Sequence, residues 1–90
     1  MTKESTDIAE EIRGIVARNG RLPVEIATIG NDDDLFNKGM TSTASVSVML
    51  ALQAHFGFEF PDSMLRRSTF ESVAAMQAAV VELLGSPQAQ

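Results

Sequence analysis

Apolar residues return at helical spacing in three stretches of the chain, and most of its glycines and all of its prolines fall between or after them. Ile8, Ile12, Ile15 and Val16 mark the first stretch and predict a helix over residues 6–18, with charges on its other face. Ser5 or Thr6 is placed to cap its start, where Asp7 and Glu10 suit the positive end of the helix dipole. Asn19-Gly20 is a stop signal. The second stretch predicts a helix over 42–56. Val46, Met49, Leu50 and Phe56 form its expected core face, widened by Val48 and Leu52, and Gly57 closes it. The third predicts a helix over 70–84, with Val73, Met76, Val80, Leu83 and Leu84 apolar. Ser68-x-x-Glu71 has the form of a capping box for that helix.

The segments between are less regular. Residues 21–40 form a long connection broken by Pro23 and Gly30 and kept wet by "NDDD" at 31–34. Ile26, Ile29, Leu35 and Phe36 are expected to pin it to the core, with one short turn near 34–38. Loops of this length in a compact domain are uncommon and usually functional. Phe56, Phe58 and Phe60 alternate as in a strand, yet Pro61 and the lack of a partner strand point to an extended linker that plugs aromatics into the core. A short helical turn is expected over 62–67, with Met64 and Leu65 inward. The sum is an all-α fold: a small bundle of three main helices, one short helical turn and a long loop between the first two helices. Residues 1–90 read as one domain, with a core over about 6–84 and a frayed tail at 85–90.

Composition narrows the function. Ninety residues build one modest core and hardly a deep catalytic cleft. A net charge of −5 with no basic stripe argues against nucleic acid. No cysteine is present, so any thiol chemistry must be supplied from outside the chain. No apolar run reaches membrane-spanning length, and the first residues have no signal-peptide core. The expectation is a soluble, monomeric cytoplasmic protein that engages no membrane.

"GMTSTASVSV" at 39–48 crowds Thr41, Ser42, Thr43, Ser45 and Ser47 at the mouth of the second helix. A serine nucleophile needs a base, and the only histidine is His55. On one helix, thirteen residues separate it from Ser42 by about 20 Å, which excludes an intrachain pair. Consecutive Asp32, Asp33 and Asp34 lack calcium-loop spacing. Two readings of the hydroxyls stay open. Thr41 or Ser42 is a helix cap, or the helix N-terminus, with its free N–H groups and dipole, carries a phosphodiester on a serine.

Residues 34–61, "DLFNKGMTSTASVSVMLALQAHFGFEFP", resemble the central segment of acyl carrier proteins without a gap. Asp34-Leu35, Gly39-Met40, Ser42, Val46, Ala51-Leu52, Phe56-Gly57 and Phe58-Glu59-Phe60-Pro61 fall in register with that family's pattern. The resemblance implies that Ser42 accepts 4'-phosphopantetheine from coenzyme A through a separate magnesium-dependent phosphopantetheinyl transferase. It also implies that the arm's thiol carries cargo as a thioester, which supplies the missing sulfur.

Two departures stand out. Thr41 replaces the family's Asp before the serine and Thr43 the Leu after it, and residues 42–56 contain no acid where fatty-acid carriers bear several. A neutral helix does not steer partners by long-range charge, so docking should be weakly salt-dependent. The segment is similar to the specialised carriers loaded by stand-alone aminoacyl–carrier-protein ligases, from which a downstream transferase takes the cargo. The expected partner patch comprises Met40, Thr41, Thr43, Val46, Met64, Arg66 and Arg67. The alternative is an unmodified small helical interaction module with the same fold.

Overall fold

A computed structural model describes residues 5–85 of the chain. Four helices follow one another: α1 (Ser5–Asn19), α2 (Ser42–Phe56), the single-turn α3 (Arg67–Phe70) and α4 (Val73–Gly85). No strand occurs among the described residues. The side chains of residues 5–7 and the tail from 86 onward lie outside the described residues, and with them the expected Ser5 or Thr6 cap and most of the frayed tail.

α1 sits between α2 and α4 and packs against both. Its stripe of Ile8, Ile12, Ile15 and Val16 is buried, as a 3.6-residue repeat requires. Glu11 on the flank accepts a 2.7 Å hydrogen bond from, or pairs with, the His55 Nε2 near the end of α2. His55 is thus a surface link between two helices.

The long connection is pinned where the pattern placed it. Ile29 and Leu35 are buried, and Ile26 and Phe36 pack partly against the core. Arg13 of α1 reaches over to tie it down. One of its guanidinium nitrogens donates to the Ile26 carbonyl at 2.6 Å and the other to Asn31 Oδ1 at 2.8 Å. Two of the three aspartates serve local turns. Asp33 accepts from the Gly30 N–H at 2.8 Å, and Asp34 accepts from the Phe36 N–H at 2.9 Å. Residues 26–28 add a 3-10 turn that the pattern did not announce.

The α2 boundaries match expectation, and Gly57 closes the helix in the left-handed region at φ 78°. Its buried face matches in part: Val48 and Leu52 are buried and Met49 and Phe56 pack against the core, as expected. The core stripe is Ala44, Val48 and Leu52, while Val46 is 51% and Leu50 53% exposed. Apolar residues surround this helix, so docking on α1, and not periodicity, selects the inner face. Small Ala44 at the start of the stripe lets the helix approach closely.

Phe56, Phe58 and Phe60 form a ladder and not a strand. Phe58 meets Phe60 edge-on at 5.0 Å between centroids, and Phe60 meets Phe70 at 5.2 Å. Gln53 Oε1 accepts the Phe60 N–H at 3.0 Å and fixes the exit of the chain from α2.

The 62–67 turn divides. A 3-10 turn spans Asp62–Met64, and α3 begins only at Arg67. Between them Leu65 has φ −86° and ψ 70°, and the Arg66 N–H donates to the Met64 carbonyl at 2.9 Å. That is an inverse γ-turn. It turns Met64 toward the core and leaves Leu65 46% exposed, contrary to the expectation that both point inward.

The expected capping box is also absent. Ser68 lies inside α3, and Ser72 caps α4 by accepting the Ala75 N–H at 3.0 Å. The long loop completes this corner: the Leu35 N–H donates to the Glu71 carbonyl at 2.7 Å and the Ala74 N–H to the Asn31 carbonyl at 2.9 Å. α4 therefore starts at Val73, and of its expected apolar positions Leu84 stands 45% exposed.

Candidate functional site

The loop delivers the chain to α2 through three residues with separate tasks. Gly39 has φ 113°, a region L side chains rarely adopt, and a Cβ there would stand 2.6 Å from Pro23 Cδ. Met40 is 3% exposed, and its N–H donates to the Leu35 carbonyl at 3.0 Å. Met40 is therefore an anchor in the core and not the surface contact expected of it, because the chain must be fixed immediately before the helix opens. Thr41 is extended, at φ −88° and ψ 168°, and its Oγ1 accepts the Ala44 N–H at 3.0 Å. It is the N-cap.

With that task taken, the other hydroxyls separate. Ser45 Oγ donates back to the Ser42 carbonyl at 2.7 Å. Thr43 is exposed. Ser42, the first residue of α2, is exposed, and its hydroxyl makes no hydrogen bond among the described residues. The first N–H groups of any helix lack intrahelical partners and lie at its positive end, a setting that favours an attached phosphate. Thr41 thus does the capping that the cluster needs and leaves Ser42 available for chemistry.

Ser42 opens onto a depression of about 440 Å³. Val46 and Met49 of α2 form one wall; Leu65, Arg66, Arg67 and Phe70 form the other; Phe36 lies at its end. The structure therefore brings Ser42, Val46, Arg66 and Arg67 together around one depression. Met64 is half-buried and packs on the core beside this wall. The pattern had not singled out Phe36, Leu65 or Phe70 for the site. The γ-turn places Leu65, the helix break at 71–72 follows Phe70, and the turn before α2 carries Phe36; none of these leaves a periodic signal.

The residues present fit a phosphopantetheine group. Ser42 is exposed, its hydroxyl makes no hydrogen bond among the described residues, and a partly apolar hollow adjoins it. The phosphopantetheine attachment site family model matches residues 10–86, and the chain belongs to this family. The aminoacyl carrier protein of Agrobacterium fabrum (strain C58) is 40% identical over 78 residues, covering 87% of this chain and 94% of the relative. A carrier protein from Agrobacterium tumefaciens, crystallised with an engineered Bradyrhizobium japonicum glycine:[carrier protein] ligase and AMP, superposes with a TM-score of 0.78. It is 40% identical, and the match covers 80% of this chain and 96% of that one. A solution structure from Agrobacterium tumefaciens, 38% identical, gives 0.72 over 91% of this chain and 99% of that one. Both structures share the helical fold described above.

Proposed function

We propose that this chain is a carrier that holds aminoacyl groups as thioesters on 4'-phosphopantetheine linked to Ser42. The observation that carries the reading is the division of labour at the mouth of α2: Thr41 caps, and the exposed Ser42 hydroxyl is left unbonded. Esterification joins Ser42 Oγ to the phosphorus of coenzyme A's pantetheine phosphate, with loss of the serine proton and departure of the adenosine bisphosphate. A separate transferase performs this step, since among the described residues no histidine or carboxylate lines the depression with Ser42. His55 lies at the other end of α2 and is engaged with Glu11. The chain is itself no enzyme, and it acts as one cytoplasmic, monomeric domain over residues 1–90, with its core at about 6–84. The bound group supplies the thiol; the bundle supplies a rigid mount.

The match to an aminoacyl carrier protein, and to a carrier crystallised with a glycine:[carrier protein] ligase, supports a small amino acid as cargo and such a ligase as partner. A downstream transferase receives the cargo. Thr41, Thr43 and Val46 on α2, with Met64, Arg66 and Arg67 across the depression, form the docking patch. Exposed Val46 on a helix without acids makes that docking mainly apolar at its centre and weakly salt-dependent.

Intact-mass measurement tests the attachment. After incubation with coenzyme A, magnesium and a broad-specificity transferase, the chain gains one phosphopantetheine mass, and Ser42→Ala gains none. An unchanged wild-type mass refutes the reading, and favours the unmodified interaction module. Loading of the holo protein by amino acid ligases but not fatty acyl ligases then tests the cargo. Arg66→Glu with Arg67→Glu weakens loading; unchanged kinetics remove both from the patch.

A further inference from the structure

Arg67 is placed for a task beyond its part in the docking patch. Its guanidinium carbon lies 4.0 Å from the centroid of the Phe36 ring. Stacking of this kind uses the flat face of the guanidinium and leaves its in-plane N–H donors open. No carboxylate takes them: among the described residues Arg67 makes no ion pair or hydrogen bond. Arg13 shows the contrast, with both terminal nitrogens spent on Asn31 and Ile26. Arg67 is thus held against a ring with its donors open to an anion. Arg67 also lines the same depression as Ser42. Phe36, which seats it, belongs to the turn that leads into Gly39-Met40-Thr41-Ser42.

We propose that Arg67, seated on Phe36, is the counter-charge for the phosphodiester carried by Ser42, and that this contact holds the root of the arm over the depression. The inference rests on attachment at Ser42. A planar guanidinium matches two phosphate oxygens at once, which an ammonium does not. Arg66 lines the same depression but has no ring beneath it, so it is free to serve a partner instead. The two arginines thus differ: both belong to the docking patch, but only Arg67 also faces the prosthetic group. Arg67 is a positioning residue, since it acts on where the arm points and not on the thiol.

Nuclear magnetic resonance of apo and holo protein tests this without any ligase. Holo samples are first verified by intact mass; a chain that never gains the arm removes both the attachment reading and this one. With the arm present, the Arg67 Nε–H resonance shifts between apo and holo protein, and added sodium chloride reverses the shift. The 31P line of the phosphodiester broadens in the wild type relative to Arg67→Gln. The populations differ about two- to fivefold, the range of one exposed ion pair. Phe36→Leu acts in the same direction, Arg66→Gln has no effect, and Arg67→Lys restores only part. Because Arg67 is exposed, Arg67→Gln keeps the fold, which unchanged amide spectra away from the site establish. An Arg67 Nε–H resonance identical in apo and holo protein overturns the proposal. So does a 31P line indifferent to Arg67→Gln while the KM of the ligase rises, which assigns Arg67 to docking alone.

Discussion

Gly39→Ala isolates the joint on which presentation of Ser42 depends. Two costs add at this position. Backbone at φ 113° is strained for any residue with a Cβ, by about 1–3 kcal/mol. The added carbon would also meet Pro23 Cδ at 2.6 Å and Cγ at 2.9 Å. A proline ring cannot rotate away, so the loop itself must move, at a further cost of about 1–3 kcal/mol. The substitution is therefore expected to remove about 2–6 kcal/mol. For a domain of this size that lowers Tm by about 10 °C or more.

Urea denaturation of the apo protein measures the loss, and two companions resolve it. Gly57→Ala meets a left-handed φ of 78° with no neighbouring atom within 4 Å, so it shows backbone strain alone, about 1–2 kcal/mol. In a Pro23→Ala background, Gly39→Ala is relieved of the clash and keeps only its strain. The cycle should give a coupling of about 1–2 kcal/mol between the two positions. A Gly39→Ala protein as stable as the wild type, or a coupling of zero, refutes the account of how the loop delivers Ser42.

The helix ends and faces give further tests by the same method. Thr41→Ala should cost about 1 kcal/mol through loss of the bond to the Ala44 N–H, and Thr41→Asp should retain the cap; equal stability of Thr41→Ala and wild type refutes the cap assignment. Ser72→Ala should cost about 1 kcal/mol, whereas Ser68→Ala should stay within about 0.5 kcal/mol, and the reverse order would restore the Ser68 capping box. Leu52→Ala should cost about 2–5 kcal/mol, while Leu50→Ala, at 53% exposure, should stay within about 0.5 kcal/mol; comparable losses would mean the wrong face of α2 has been placed inward. His55→Ala should cost no more than about 1 kcal/mol, because the Glu11 pair is on the surface, and a larger loss in urea denaturation contradicts that placement.

How legible each part was follows from how local its cause is. The bounds of α2 were readable because both signals are local: a hydroxyl before the first turn and a glycine after the last. The pinned loop was readable because Ile29 and Leu35 are apolar in a segment otherwise rich in acids and turn residues. Ser42 stood out for a related reason. Five hydroxyls cluster where a helix needs one cap, so at least one is surplus to capping. The sequence could not say which, since Thr41 and Ser42 are both competent caps. The difference lies in backbone geometry, where Thr41 alone is extended and directs its oxygen at Ala44.

What stayed illegible was decided by residues far along the chain. Ser68-x-x-Glu71 satisfies the capping-box pattern, and Ser72 has no acidic residue three places on, so local reading prefers the wrong serine. The start of α4 is set instead by Leu35 and Asn31, which bond to Glu71 and Ala74 from some forty residues upstream. The inner face of α2 was hidden because a helix apolar all round fits two orientations equally, and only α1 breaks the tie. That same ambiguity has a functional consequence. The residues that lose the competition for the core, Val46 and Leu50, stay on the surface as exposed apolar side chains, and Val46 lines the depression with Ser42. A helix that spends no charge on its outer face and keeps such residues there is suited to recognition by contact at close range. Val46 thus joins the misjudged core face to the proposed docking patch, seen first from the pattern and then from the packing.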